Sequence, residues 1–138
     1  MEKRVPFKWE FGDVEVSLWV SQYVQGDRLY IGLIVHDKDG AEPFCDMTVN
    51  LPHYPLRKNE SFISHEMSTD LLRFIDENNL GVVQPRVGRS GFCEYALVEF
   101  NLDRLREFDP RGVENFEKQH DKVTKQRRKG GKERGEAR

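Results

Sequence analysis

Apolar and polar side chains alternate strictly over Val14-Glu15-Val16-Ser17-Leu18-Trp19-Val20, which predicts a half-buried β-strand. Val14, Val16, Leu18 and Val20 fall on an inner face; Glu15, Ser17, Trp19 and Ser21 fall on the other. Gln25-Gly26-Asp27 supplies a turn, and Arg28–His36 reads as the return strand, with Leu29, Ile31, Leu33 and Val35 on one side. Tyr30 and Ile34 make its second face partly apolar, so this strand is expected to be central. Asp37-Lys38-Asp39-Gly40 is a polar connection with glycine where positive φ is tolerated. Phe44–Leu51 reads as a third long strand, and Phe7–Phe11 adds one at the start, with Gly12-Asp13 as its turn. The result is an antiparallel meander.

The pattern changes after Asn50. Pro52 and Pro55 each remove a backbone donor and favour extended geometry in the preceding residue, which predicts a rigid, exposed loop presenting Tyr54. Ser68 or Thr69 is a suitable N-cap for a helix running to about Asn78, with Leu71, Leu72, Phe74 and Ile75 as its apolar stripe. Asn78-Asn79-Leu80-Gly81 ends that helix with residues able to turn left-handed. Val82–Val87 and Phe92–Phe100 form a second hairpin, in which Pro85 confines the first strand to a sheet edge or a bulge. Asn101 caps a short helix over Leu102–Phe108, and Asp109-Pro110-Arg111-Gly112 closes the domain. Beyond it, residues 110–138 offer only Val113, Phe116, Val123 and Ala137 as apolar side chains, so the core is assigned to residues 1–109. The expected architecture is α+β: an antiparallel sheet of about five or six strands with one main helix on one face. A basic tail, 110–138, follows, partly helical from about Val113 and disordered from Arg127.

Charge sharpens this division. Residues 1–117 carry 13 Lys/Arg against 21 Asp/Glu, a net of −8, while residues 118–138 carry 9 against 3, a net of +6. The near-neutral total of −2 therefore conceals an acidic body and a basic C-terminus. At cellular salt the screening length is about 8 Å, so the two regions present separate fields to partners. No run approaches the roughly 20 apolar residues of a membrane span, and Met1–Pro6 lacks the apolar stretch of a secretory signal. Two cysteines in strand-like runs, Cys45 and Cys93, fit a cytoplasmic protein with buried thiols; a bridge between neighbouring strands is the other reading.

The residues that could do chemistry are scattered. His36, His53, His65 and His120 form no i, i+4 pair and no Cys/His spacing suited to a metal. Ser90 in Gly88-Arg89-Ser90-Gly91 lacks the strand–elbow–helix setting of a hydrolase nucleophile, and no helix follows to make the segment a phosphate loop. Glu94 and Glu99 point to opposite faces of one strand, which argues against a joint acid–base role. The expectation is a non-enzymatic protein without metal or cofactor.

Two features remain as recognition candidates. The aromatic set Trp9, Trp19, Tyr23 and Tyr30 lies partly on the face opposite the meander's core, where it is either covered as further core or exposed as an interface. Glu15, Trp19, Asp37, Asp39, Glu42, Asp46 and Tyr54 are the candidate partner-binding residues on the acidic body. Lys122, Lys125, Arg127, Arg128, Lys129, Lys132 and Arg134 are the candidate nucleic-acid contacts on the tail. With no aromatics among them, they would position a phosphate backbone without reading bases.

Leu29-Tyr30-Ile31-Gly32-Leu33, the run Asp46–Leu56 (Thr48-Val49-Asn50-Leu51-Pro52-His53-Tyr54-Pro55-Leu56 above all) and Gly91-Phe92-Cys93-Glu94-Tyr95 resemble a family of small bacterial proteins of unassigned function. Its members are carried on conjugative elements and phages. The likeness covers roughly residues 7–100. It implies a mobile-element accessory protein, and small proteins of that origin include inhibitors of host RNA-guided nucleases, the anti-CRISPR type. The expected partner is then a host protein such as such a nuclease. The alternative is an accessory protein of element transfer or replication that binds nucleic acid through its tail.

Overall fold

A computed structural model describes residues 3–26 and 28–122. Eight strands and three helices follow one another among these residues. The first five strands are β1 (Val5–Trp9), β2 (Gly12–Gln22), β3 (Leu29–Asp37), β4 (Gly40–Asp46) and β5 (Thr48–Val49). They are followed by β6 (Glu60–Ile63), α1 (Ser68–Glu77), β7 (Gly81–Ser90), β8 (Cys93–Phe100), α2 (Leu102–Phe108) and α3 (residues 110–122). The expected α+β architecture is observed, with its strands shared between two four-stranded antiparallel sheets ordered β1-β2-β3-β4 and β5-β6-β8-β7.

The division occurs at Met47. The alternation from Phe44 to Leu51 runs without interruption in sequence, yet the chain leaves the first sheet after Asp46 and enters the second at Thr48. Met47 is fully buried at this crossing, its N–H donates to the Ile31 carbonyl at 2.9 Å, and its carbonyl accepts from Ser64 N–H at 2.9 Å. The Thr48 hydroxyl accepts from Ile31 N–H at 3.2 Å and the Ser61 hydroxyl donates to the Leu29 carbonyl at 3.1 Å, stitching β3 to the second sheet. Met47 and Thr48 are buried in succession here, yet apolar and polar residue types still alternate from Cys45 to Leu51, so the sequence pattern does not reveal the crossing.

Strand β2 buries Val16, Leu18 and Val20 as its alternation requires, and β3 lies between β2 and β4 as its two apolar faces require. The first hairpin closes through Glu10-Phe11, with Trp9 opposite Gly12, so its turn precedes the expected Gly12-Asp13. Gly40, at φ 121, closes the β3–β4 hairpin opposite Asp37. Pro85 sits in a register shift between Val83 and Val87 on β7, an edge strand. Helix α1 spans the predicted residues, but Met67, at φ 57 and without a side-chain bond, occupies the cap position expected of Ser68 or Thr69. Asn79, at φ 55, ends the turn beyond the helix. The Asn101 side chain accepts from Arg104 N–H at 3.2 Å and caps α2 as expected.

One core fills the space between the sheets. Phe7, Ile31 and Leu33 from the first sheet meet Ile63, Val98 and Phe100 from the second, with Leu71, Phe74 and Ile75 of α1 against them. This core extends past residue 109. Val113 and Phe116 of α3 are both 0% exposed within it, so two apolar side chains suffice to dock a helix that looked too polar to belong to the body. On the far side of the second sheet, Leu51, Phe62 and Leu97 form a smaller cluster under the loop of residues 50–56.

Candidate functional site

The face of the first sheet turned away from the core carries the residues with most to offer a partner. Strand register sets Trp19 of β2 opposite Gly32 of β3, and Gly32 opposite Asp46 of β4. Tyr30, two residues before Gly32, lies on the same face. A Cβ on Gly32 would run into the Tyr30 ring, so the bare glycine lets the phenol lie across β3 and donate to Asp46 Oδ1 at 2.6 Å. The Trp19 and Tyr30 rings meet edge to face at 5.5 Å, and Tyr30 and Tyr23 at 5.4 Å. Tyr23 in turn shares a hydrogen bond of 2.8 Å with the Thr48 hydroxyl. Trp19, Tyr30, Ile34, Glu42, Pro43 and Asp46 are among the walls of a recess of about 390 Å³.

Two aromatic rings and two carboxylates on a sheet floor give this recess the chemistry that a cation would need, stacking faces beside hydrogen-bond acceptors. Trp19 is 52% exposed at its rim although it is large and apolar. Its edge-to-face contact with Tyr30 restricts the ring to one orientation. The irregular register at Leu33/Ile34 turns Phe44 and Cys45 toward the core while Glu42 and Asp46 stay exposed.

Burial, reinforced by the hydrogen bond to Asp46 and its charge, pushes the Tyr30 phenol well above its ordinary value of 10.0. Burial also raises Tyr23, and pushes the Cys45 thiol from 9.0 up to about 12, the Asp46 charge adding to it. Each group is therefore held neutral in the folded protein at a pH where the unfolded chain would ionise it. The stability this confers is complete below about pH 9 and is lost as pH rises through the window above 9.0 for Cys45 and above 10.0 for the tyrosines. We expect the urea midpoint to fall from pH 9 to pH 12, and Tyr30→Phe to flatten that fall. An identical slope in the variant would contradict the assignment.

The structure brings together three of the seven candidate partner-binding residues, Trp19, Glu42 and Asp46, around one recess. Glu15 lies on the same face, 3.5 Å from Arg4 as an ion pair and opposite His36. Asp37 and Asp39 form the β3–β4 turn, where Asp37 Oδ1 accepts from Asp39 N–H at 2.8 Å. Tyr54 belongs elsewhere and is not an exposed probe: half-buried, it packs against Phe62 at 5.2 Å and its hydroxyl accepts from Arg89 N–H at 2.8 Å. Its loop is tied down by Arg28, which donates to the carbonyls of Leu51 at 2.8 Å, Pro52 at 3.3 Å and Tyr54. Of the tail candidates, Lys122 is exposed in the last described turn of α3; Lys125, Arg127, Arg128, Lys129, Lys132 and Arg134 lie outside the described residues.

The histidines do not converge. His36 shares a 2.7 Å hydrogen bond with the Ser17 hydroxyl, His65 packs against Tyr95, His120 against Phe116, and His53 is exposed. Cys45 and Cys93 are free, half-buried thiols in different sheets. Among the described residues no group of three His, Cys, Asp or Glu is placed to hold a metal ion, and no helix is long and apolar enough to cross a membrane.

Fold and site together define a small α+β domain of two packed antiparallel sheets, with an acidic, aromatic recess on the outside of one of them. The chain belongs to the family described as a domain of unknown function (DUF4313), whose model matches residues 17–120. That span includes most of α3, past the segment of roughly 7–100 over which the sequence motifs run. No curated protein and no solved structure matches the chain.

Proposed function

We propose that this protein acts by binding and makes no bonds of its own, docking the outer face of its first sheet onto a basic surface of a larger protein. The observation that carries this is the recess flanked by Trp19, Tyr30, Glu42 and Asp46. An arginine from the partner fits it best. A guanidinium stacks on aromatic faces and donates to carboxylates in the same plane, and it is more weakly hydrated than an ammonium. Asp37 and Asp39 at the neighbouring turn extend the negative field, which would speed encounter with a positive groove more than it deepens affinity.

The partner we favour is a host RNA-guided nuclease, whose nucleic-acid channel is lined with such arginines, the protein being an inhibitor carried by a mobile element. The family resemblance and the net charge of −8 on residues 1–117 support this reading. A cleavage assay with purified nucleases of several subtypes tests it directly. Cutting should fall in proportion to added protein. Trp19→Ala should weaken inhibition by about 2 kcal/mol, roughly 30-fold, as expected of a central aromatic anchor. Asp46→Asn should weaken it less. Undiminished cutting at saturating protein across the panel removes the nuclease. Capture of a basic partner that ignores Trp19→Ala removes the face.

A further inference from the structure

We propose that a second recess, at the root of the tail, holds the phosphate backbone of a nucleic acid. This recess, of about 400 Å³, is lined by Gly26, Arg28, Pro55, Arg57, Lys58 and His120 among others, and no carboxylate is among its described lining residues. Asp27, between Gly26 and Arg28 in the chain, lies outside the described residues. Three cationic side chains thus gather on a body whose sequence is strongly acidic, and on a different part of it from the Trp19 recess.

The cations are positioned by the fold. Arg28 is anchored by the carbonyls of the 50–56 loop, so its charge is fixed at the wall. The Arg57 backbone N–H donates to Glu60 Oε1 at 2.8 Å, which sets where the residue stands while its side chain remains exposed. Lys58 Nζ lies 3.4 Å from Glu117 and 3.6 Å from Asp121, and Glu117 is shared with Arg106. Those two acids belong to α3 and border the recess without lining it. These contacts engage two of the three N–H donors of the half-buried Lys58 ammonium and leave the third for an anion in the recess. Arg57 would donate two parallel hydrogen bonds to a phosphodiester and Lys58 would act as a point charge.

Continuity decides between a free phosphate and a polymer. His120 is on the wall, and two residues later the chain begins the series Lys122, Lys125, Arg127, Arg128, Lys129, Lys132, Arg134. A polyanion seated in the recess would lie where this cationic sequence begins, which favours a polymer of many phosphates over a free ion. Binding would be independent of base sequence and steeply dependent on salt.

The test is an amide-resolved NMR titration of the full chain, first with inorganic phosphate against chloride at equal ionic strength, then with a short oligothymidylate. Gly26, Arg57, Lys58 and His120 should shift with both, and the oligonucleotide should saturate at a concentration at least about tenfold lower, because it engages several cations together. Arg57→Gln should weaken oligonucleotide binding about fivefold, the share of one phosphate contact. Equal shifts with chloride would overturn the proposal. So would oligonucleotide shifts confined to residues 123–138 and indifferent to Arg57→Gln, or a response to phosphate that the oligonucleotide does not share.

Discussion

Phe116→Ala is expected to remove about 3–5 kcal/mol of stability, the usual cost of emptying a fully buried phenylalanine site. Phe116 is 0% exposed in the main core, and its ring lies 5.8 Å from that of His120 one turn later. Val113 is the helix's only other member of that core among the described residues, so the Phe116 ring supplies most of the apolar area that docks α3. A domain of this size has about 5–15 kcal/mol in total, so the loss is a large part of it. Urea unfolding followed by tryptophan fluorescence would measure it. A change below about 1 kcal/mol would mean that α3 is an appendage and that the body ends near residue 109.

How the helix was hidden follows from its composition. Residues 110–122 contain two apolar side chains, Val113 and Phe116, spaced i, i+3 and followed by charge. A stripe so thin does not predict burial by periodicity, since amphipathic helices usually show three or four apolar positions per two turns. What compensates is a set of side-chain ion pairs along the helix and its neighbours: Arg106 to Glu117, Lys58 to Glu117 and Lys118 to Glu114. The first two join α3 to residues outside it and leave no local mark, while Lys118 and Glu114 are a local i, i+4 pair on the exposed side of the helix.

Strands were legible where a large apolar side chain recurs at every second position. Val14–Val20 and Leu29–Val35 alternate, and both appear as read. Glu60–Ile63 was not predicted because all four of its residues are buried, the main core on one side and the Leu51–Phe62–Leu97 cluster on the other, which erases alternation. Half of the Trp19 recess was legible too. Trp19, Tyr30, Glu42 and Asp46 are recognisable as an aromatic and acidic set, but Gly32 and Ile34 join it only once the β3–β4 register is known. The recess at the root of the tail was not legible at all. Arg28, Arg57, Lys58 and His120 come from three separate stretches, and only the packing of α3 beside the 50–58 loop gathers them.

Asp109→Ala should be nearly as damaging as the loss of Phe116, although the residue lies at a junction between helices. Its backbone N–H donates to the Leu105 carbonyl at 2.9 Å and closes α2, while its own carbonyl accepts from Val113 N–H at 3.1 Å and opens α3. The carboxylate divides its two oxygens. Oδ1 accepts from Gly112 N–H at 3.0 Å, an N-cap with Pro110 as the first helical residue. Oδ2 accepts from Val20 N–H at 2.9 Å. That second bond matters because β1 pairs with β2 only as far as Val16, leaving the edge of β2 open beyond it. Gly112 is required at the same spot, since a Cβ there would collide with the Val20 carbonyl and the Asp109 carboxylate. Removing the carboxylate forfeits a cap worth about 0.5–2 kcal/mol and a charge-assisted bond to a buried amide worth about 1.5–3 kcal/mol. Because the two bonds share one group, the expected total is about 2–4 kcal/mol rather than their full sum. Asp109→Asn, with a single acceptor oxygen, should cost about half of that. Hydrogen exchange identifies the mechanism: the Val20 amide should be protected in the wild type and exchange rapidly in Asp109→Ala. Continued protection there, with stability down by less than about 0.5 kcal/mol, would show that the carboxylate does not hold the edge.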